Sequence, residues 1–276
     1  MVKDKLENKR IAIIGVGNMG GAIAGSLLKE GLVNSHNLVL TNKSLGKIVK
    51  FRKAGAIVLK DNNWAVKNSD IVIFAVKPHT LPEILSDIKK DISSGQLIVS
   101  IAAGISIKTF KKYLGYGQPI VRVMPNLAAQ VSQSMSLWSA SREVTRVQRN
   151  HVRKILKSWG EELYLASEDI LDRLTTISGC GPAYIFYLCE LMEKAGINFG
   201  LKKKQATLLA YQTLLGSARI LEKTHEAPEI LRKRVTSKKG VTAAVFHSLD
   251  KSEFGEAFFK ALRAGYKRTK ELRSLH

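Results

Sequence analysis

The sequence predicts an α/β fold in which an N-terminal parallel sheet is followed by a domain built only from helices. In the first part of the chain, short runs of branched apolar residues alternate with helical patterns, which is typical of a parallel sheet covered by helices. The runs lie at residues 11–14, 37–41, 56–59, 70–76, 97–101, 119–124 and 162–165. After Glu168 helical patterns continue, and no further run reads as a strand.

A glycine-rich turn directly after the first run organises the rest of the chain. Gly15, Gly17 and Gly20 have the G-x-G-x-x-G spacing between an apolar strand and an Ala/Leu-rich helix. The first glycine allows a tight turn, the second lets a diphosphate approach the backbone, and the third lets the helix pack on the strand. Free N–H groups at the helix start suit a diphosphate. The segment, which includes Asn18 and Met19, therefore predicts a dinucleotide site in a Rossmann-type domain.

The end of the second strand indicates which dinucleotide binds. A cofactor with a free ribose 2′-hydroxyl usually meets Asp or Glu about 20 residues beyond the glycines. This chain has Asn42, Lys43 and Ser44 there, which are an amide, a cation and a hydroxyl without a carboxylate. These groups favour a 2′-phosphate, so NADP(H) is predicted, with NAD(H) bound at lower affinity. The alternative is an ordinary polar turn.

Two further strand ends are expected beside the glycine turn. The run at residues 70–76 leads into Lys77 and Pro78, and the run at residues 97–101 leads into the small residues 102–104. In a doubly wound sheet, ligands lie outside the carboxyl ends of the strands. Residues 75–78 are therefore predicted to line the cofactor groove, while residues 102–104 leave room for a flat ring.

The second part of the chain is predicted to be an all-α dimerisation domain. The boundary falls near Ala166, giving a dinucleotide-binding domain over residues 1–166 and a helical domain over residues 167–276. Residues 177–192 are almost wholly apolar, and a helix that is apolar all round must be buried on every side. A domain of this size achieves that most easily when a second subunit covers one face, so the chain is predicted to form a homodimer.

Composition limits the possible partners and compartment. The 44 Lys and Arg against 23 Asp and Glu give a net charge of +21, but the basic residues are scattered and not interleaved with aromatic ones. This favours a basic surface without a nucleic-acid role, and some attraction for anionic ligands stays open. Cys180 and Cys189 are expected to be buried reduced thiols, with no metal site. The N-terminus mixes charges, and no apolar run reaches membrane length, so no membrane partner and a cytoplasmic location are expected.

A second candidate site lies near the start of a helix in the C-terminal part. In residues 236–242, hydroxyl side chains and Gly240 lead directly into a helical pattern. Free N–H groups at a helix start suit a small carboxylate. The alternative is a simple N-cap, in which Ser or Thr satisfies its own helix end. The residues leave both open.

Together, these motifs resemble pyrroline-5-carboxylate reductase over essentially the whole chain. The segments that carry the resemblance are Gly15–Gly20, Ala75–Pro78, Ser100–Ile105, Arg122–Asn126, Ser178–Tyr184 and Ser237–Thr242. Their order and spacing are far more specific than a glycine motif alone. The resemblance implies that NAD(P)H reduces the C=N bond of a small imino acid, 1-pyrroline-5-carboxylate, to give L-proline. It also implies interlocked helical domains of two subunits, with a decamer as a larger assembly.

The resemblance also assigns site residues. It gives to the cofactor Gly15, Gly17, Asn18, Met19, Gly20, Asn42, Lys43, Ser44, Asn62, Ala75, Val76, Lys77, Pro78, Ile101, Ala102 and Ala103. It gives to the substrate Ser237, Gly240, Val241 and Thr242. A cyclic imine is readily protonated and then electrophilic, so positioning is the main requirement and no metal is needed. Thr242 is the predicted catalytic residue, because its hydroxyl can hydrogen-bond the ring nitrogen and relay a proton through water.

Departures from the family pattern keep two alternatives open. Lys238 and Lys239 stand where the family has Pro-Gly, and Val241 fills a small position. This favours, as one alternative, a non-catalytic NADP-binding regulatory paralogue. The other is an oxidoreductase like the β-hydroxyacid dehydrogenases, which use a Lys shortly after a Gly-rich helix start in the second domain. Residues 179–191 contain no Lys, which argues against it.

Overall fold

A computed structural model describes residue 6 and residues 8–274, so the mixed-charge N-terminus lies largely outside the described residues. The strands are β1 Ile11–Ile14, β2 Leu38–Thr41, β3 Ile57–Leu59, β4 Ile71–Phe74, β5 Leu97–Ser100, β6 Ile120–Met124, β7 Ser134–Ala140 and β8 Gly160–Tyr164. They form one eight-stranded sheet with the order β3-β2-β1-β4-β5-β6-β7-β8. The predicted α/β class with an N-terminal Rossmann-type sheet is confirmed.

Seven helices accompany the sheet and five follow it within the described residues. The first set is α1 Asn18–Lys29, α2 Val49–Lys53, α3 Asn62–Lys67, α4 Leu81–Ile88, α5 Ile107–Leu114, α6 Arg146–Lys157 and α7 Glu168–Ser178. The second set is α8 Gly181–Asn198, α9 Lys203–Thr224, α10 Pro228–Arg234, α11 Val241–Lys251 and α12 Phe254–Ser274. None of the described helices combines the length and apolarity that crossing a membrane requires.

The central strands are apolar because helices cover both faces of the sheet. β1 pairs in parallel with β2 and β4, with Ile11 opposite Leu38 on one side and Ile71 on the other. All four residues of β1 are buried, with Ile11 and Ile13 in one apolar cluster and Ala12 and Ile14 in the other. This two-residue alternation between two cores explains why the strands were readable as continuous apolar runs.

One strand pairing differs from the parallel sheet that the sequence predicts. β7 runs antiparallel to β6, with Val123 opposite Trp138, and β8 then pairs in parallel with β7. The short 3-10 turn Leu127–Val131 reverses the chain between β6 and β7. A turn of this length permits only an antiparallel return. The sequence of β7, with four small or polar residues in seven, did not read as a strand.

The apolar run at residues 177–192 was predicted to form one helix. It instead contains the junction of two helices. α7 ends at Ser178, and α8 begins at Gly181. Gly179 packs tightly on the preceding turn, since a Cβ on it would lie 2.9 Å from the Thr175 carbonyl oxygen. Cys180, expected to be buried, is exposed in the single chain, and Cys189 is half-buried.

The described chain forms two compact units. One contains the residues up to Cys180 together with those from Gly265 onward, and the other contains Gly181–Ala264. The first unit holds the sheet, and its last helical segment belongs to α12. The predicted domain boundary near Ala166 stays a prediction. In the second unit α8 packs on α9, while much of the apolar surface of α8 remains exposed in the single chain.

Candidate functional site

Two of the three motif glycines are required by the fold itself. Gly15 has a φ of +82°, and a Cβ there would lie 2.1 Å from Val76 Cγ1. Gly20 lies in the first turns of α1, where a Cβ would lie 3.2 Å from the Ala75 Cβ. Because Gly15 leaves no room for a side chain and Gly20 leaves very little, these glycines bring α1 against the ends of β1 and β4, as the motif predicts.

Gly17 is different, because nothing in the described protein explains its lack of a side chain. A Cβ on Gly17 would have no neighbour within 4 Å. Gly17 is the N-cap of α1, and no side chain accepts a hydrogen bond from the first turn of this helix. The N–H groups of that turn therefore face an open space at the positive end of the helix, and this arrangement fits a diphosphate approaching the backbone.

The end of β2 holds the glycine loop in position. The backbone N–H groups of Gly15 and Val16 donate to the Thr41 carbonyl at 3.1 and 2.9 Å. The Asn42 Nδ2 donates to the Val16 carbonyl at 3.0 Å, so this amide supports the loop. The Thr41 hydroxyl donates to Asn62 Oδ1 at 2.7 Å. Five residues from three segments are thus linked at the loop, and Asn42 and Asn62 lie next to it.

The positions predicted from β4 and β5 lie along the same edge of the sheet. The Ala75 N–H donates to the Ile14 carbonyl at 2.9 Å, and the Ile101 N–H donates to the Phe74 carbonyl at 3.0 Å. These bonds continue the parallel ladder past the strand ends, which places Ala75 beside Gly15 and Ile101 beside Ala75. The side chain of Ala102 is buried in the core, whereas Ala103 is exposed. Ala102 therefore offers the edge only its backbone.

The remaining predicted cofactor residues also belong to this unit. Lys43 and Ser44 follow Asn42 and are exposed, so their side chains are free to meet an anion beyond the end of β2. Lys77 is exposed, and Val76 and Pro78 are half-buried. Met19 is half-buried and packs on the core beneath α1.

A cleft of about 730 Å³ opens beside the glycine loop. Gly17 and Asn18 line it together with Lys29, Lys47 and Lys50. Three exposed lysines that line the same cleft as the start of α1 raise the local concentration of anionic ligands. None of the sequence motifs had indicated these lysines as site residues. Their local signal is that Lys47 and Lys50 lie three residues apart, on either side of the first residue of α2, Val49.

The second unit contains the other predicted site, the turn before α11. The Gly240 N–H donates to the Ser237 carbonyl at 3.0 Å, and a Cβ on Gly240 would lie 2.3 Å from the Ser237 hydroxyl oxygen. Gly240 is the N-cap of α11, and no side chain caps this helix. The simple N-cap alternative is therefore wrong. The first N–H groups of α11 are available to a ligand, with Val241 exposed and Thr242 half-buried.

The two lysines of this turn differ in conformation. Lys239 has a φ of +58°, in the left-handed region that favours glycine, and Lys238 does not. Both side chains are exposed. A non-glycine residue in this region costs about 1 to 2 kcal/mol. The turn therefore keeps the backbone geometry of a glycine-containing loop while presenting two cations.

Comparisons with known proteins give matches over both parts of the chain. Residues 168–272 match the family described as pyrroline-5-carboxylate reductase dimerisation, and residues 10–104 match the family described as NADP oxidoreductase, coenzyme F420-dependent. The pyrroline-5-carboxylate reductase of Methanosarcina acetivorans is 36% identical over 268 residues, which are 97% of this chain and 99% of the relative. Pyrroline-5-carboxylate reductase 1 of Bacillus subtilis is 35% identical, covering 96% of this chain and 90% of the relative.

Solved structures give the same result. A pyrroline-5-carboxylate reductase from Coxiella burnetii superposes with a TM-score of 0.91 at 35% identity, covering 96% of this chain and 99% of that one. The pyrroline carboxylate reductase of Plasmodium falciparum, solved with NADP bound, gives a TM-score of 0.86 at 28% identity, covering 97% and 99% of the two chains. Since identity of about 35% extends over nearly the whole length of this chain and of its relatives, this chain belongs to the pyrroline-5-carboxylate reductase family.

Proposed function

We propose that this chain reduces 1-pyrroline-5-carboxylate to L-proline with NADPH. The observation that carries the proposal is that the family match includes both uncapped helix starts. Gly17 lies in the segment 10–104, and Gly240 lies in the segment 168–272. One uncapped start suits a diphosphate and the other a carboxylate, and these are the anionic groups of the cofactor and the imino acid.

For the cofactor, each group of residues has a separate task. The backbone of residues 15–20 binds the diphosphate, and Lys43 with Ser44 binds the 2′-phosphate. Residues 75–78 and 101–103 line the nicotinamide end and exclude water. The lysines of the cleft beside Gly17 attract the polyanion. When bound, NADPH supplies the hydride that reduces the C=N bond.

For the substrate, the turn before α11 supplies binding and a proton path. The free N–H groups of Val241 and Thr242, directly after Gly240, bind the carboxylate at the positive end of the helix, with the Ser237 hydroxyl as a further donor. The Thr242 hydroxyl donates to the ring nitrogen and relays a proton through water. Because the protonated imine is already electrophilic, holding the ring in position is the main contribution of the protein.

The assembly is a homodimer formed through the helical domain, with a decamer as the larger form. The support for the dimer is the match to a dimerisation family and the exposed apolar surface of α8, which includes Ile185, Phe186, Tyr187, Leu188 and Leu191. Contiguous apolar surface of this kind marks an interface. Sedimentation velocity ultracentrifugation distinguishes monomer, dimer and decamer. The cytoplasmic location stays an expectation from the sequence.

The decisive experiment follows NADPH oxidation with pyrroline-5-carboxylate in the wild type and in Thr242→Ala. We expect turnover in the wild type and a kcat about 100-fold lower in the variant, as for the loss of a general acid. The NADPH dissociation constant stays unchanged, and Thr242→Ser retains most of the activity. NADPH binding without turnover in the wild type would instead favour the non-catalytic paralogue. Wild-type kcat in Thr242→Ala would remove Thr242 from the mechanism.

A further inference from the structure

The last ten described residues of α12, Gly265–Ser274, form a segment that packs on the nucleotide-binding unit. We call it the C-terminal segment. A Cβ on Gly265 would lie 3.2 Å from Thr176 Cγ2, so the segment approaches α7 closely. The Tyr266 hydroxyl donates to Asp169 Oδ1 at 2.7 Å. This hydrogen bond, together with the Arg173 guanidinium, lowers the pKa of the Asp169 carboxyl.

Towards its end, the C-terminal segment joins a buried ion-pair network. The Arg273 Nη1 donates to Asp172 Oδ2 at 2.9 Å, and the Arg122 Nη2 donates to Asp172 Oδ1 at 2.6 Å. The Asp172 side chain is 0% exposed and the Arg122 side chain is 1% exposed. Arg122 also reaches Glu168 Oε1 at 3.3 Å. The network thus links two carboxylates of α7 with one arginine of β6 and one of the C-terminal segment.

The same contacts fix the loop that follows β5. The Glu168 Oε1 accepts a hydrogen bond from the Ile107 N–H at 3.0 Å. At the other end of this loop, Gly104 has a φ of +76°, and a Cβ there would lie 3.2 Å from the Leu272 Cβ and 3.4 Å from the Leu272 carbonyl carbon. The loop directly continues residues 101–103. It is therefore held on one side by the network and on the other by the backbone of the C-terminal segment.

We propose that Arg273 is a positioning residue for the nicotinamide end of the cofactor site. Its ion pair with Asp172 holds the C-terminal segment against Gly104, and this contact keeps residues 101–103 in the conformation that binds the nicotinamide. The inference rests on the proposed function for the identity of the ligand. Removing Arg273 also leaves one arginine to balance two carboxylates, and a buried carboxylate that loses a partner moves or recruits water.

This role predicts that the loss of Arg273 affects binding of the nicotinamide end of NADPH and leaves binding of the adenosine end unchanged. The adenosine and diphosphate end lies at the glycine loop, whereas the nicotinamide end lies at residues 101–103, directly before the Gly104 that contacts Leu272 of the C-terminal segment. Loss of Arg273 should therefore weaken binding only where the nicotinamide contributes. A merely structural role would lower the melting temperature without separating the two ends.

The test compares NADPH with 2′-phospho-ADP-ribose, a fragment that lacks the nicotinamide, on Arg273→Met. We expect the NADPH dissociation constant to rise about tenfold, as for coupling through packed elements, and the fragment to bind as it does to the wild type. In a steady-state assay, kcat falls more than the KM for the imine rises. Arg273→Lys restores a cation and recovers NADPH affinity. Since Arg273 is about one-third exposed and lies next to the helix end, the variant is expected to fold.

Tyr266→Phe is the matched control, because it removes a hydrogen bond of the same segment away from the loop. It should lower the melting temperature without changing NADPH affinity. If Arg273→Met weakens both ligands equally, or neither, the inference is wrong. If Arg273→Met does not fold, Arg273→Gln, which keeps a donor for Asp172 without the charge, gives the same comparison. A wild type that binds NADPH without turnover refutes the proposed function, yet the comparison of the two ligands still decides this inference.

Discussion

Substitution of Gly17 should weaken NADPH binding without changing the stability of the fold. A Cβ on Gly17 meets nothing within 4 Å, and its φ of −91° is open to any residue. Gly17→Ala should therefore change the free energy of unfolding by less than about 0.5 kcal/mol. The same change at Gly15 puts the Cβ 2.1 Å from Val76 Cγ1 at a φ of +82°. Left-handed strain and overpacking together should cost Gly15→Ala about 2 to 5 kcal/mol.

The expected effect of Gly17→Ala on the cofactor is large. A methyl group at this position occupies the approach to the N–H groups of the first turn of α1, so the diphosphate is displaced from at least one of them. A hydrogen bond to a charged group contributes about 1.5 to 3 kcal/mol. Its loss should weaken NADPH binding about 10- to 150-fold, at 1.4 kcal/mol for each tenfold.

The measurement is a titration of NADPH fluorescence, with the melting temperature taken by calorimetry on the same samples. Gly117→Ala is the control, since Gly117 is exposed, a Cβ there also meets nothing within 4 Å, and it precedes β6 at the opposite end of the strands. It should leave both quantities unchanged. Unaltered NADPH affinity in a folded Gly17→Ala protein would show that the diphosphate does not lie over this residue. It would contradict the assignment of the glycine loop as the diphosphate-binding site.

Three further predictions concern single side chains. Lys43→Asp should shift the ratio of kcat/KM from NADPH towards NADH by about tenfold or more, because a carboxylate there repels a 2′-phosphate; an unchanged ratio would remove Lys43 from recognition. The Lys111 ammonium, hydrogen-bonded to Glu143 at 2.8 Å, lowers the pKa of the Glu143 carboxyl from 4.5 to about 2. Glu143→Gln should thus lower the free energy of unfolding by about 1 kcal/mol near pH 7. This difference from the wild type should vanish as the pH falls from about 5 to about 2, since the wild-type carboxylate becomes protonated over this range. Urea unfolding of both proteins across the same pH range tests this prediction. Lys239→Gly should stabilise the protein by about 0.5 to 1 kcal/mol through relief of left-handed strain, whereas Lys238→Gly should not; equal shifts in urea unfolding would contradict this.

Much of the candidate site was predictable because its signals are local. The glycine spacing, the polar end of β2 and the hydroxyl-led turn before α11 each lie within a few residues. The individual roles were not predictable. Gly15, Gly17 and Gly20 are identical in sequence, and only the neighbours of each absent Cβ distinguish the two that the fold needs from the one left open. Likewise, Asn42 binds the Val16 carbonyl, a partner that its sequence neighbours do not reveal.

The sequence by itself determined the α/β class, the strands with two buried faces and the helical C-terminal part. A strand that is buried on both faces needs apolar residues at successive positions, and such a run is visible in the sequence. Only the tertiary structure decided the antiparallel β7 and the break between α7 and α8, because both depend on which elements meet. It also decided the pairing of Arg122 with Asp172, 50 residues away, and of Asp172 with Arg273, 101 residues away. An arginine in an apolar strand is intelligible only when folding brings its partners to it, since a buried charge needs a counter-charge that no local pattern specifies.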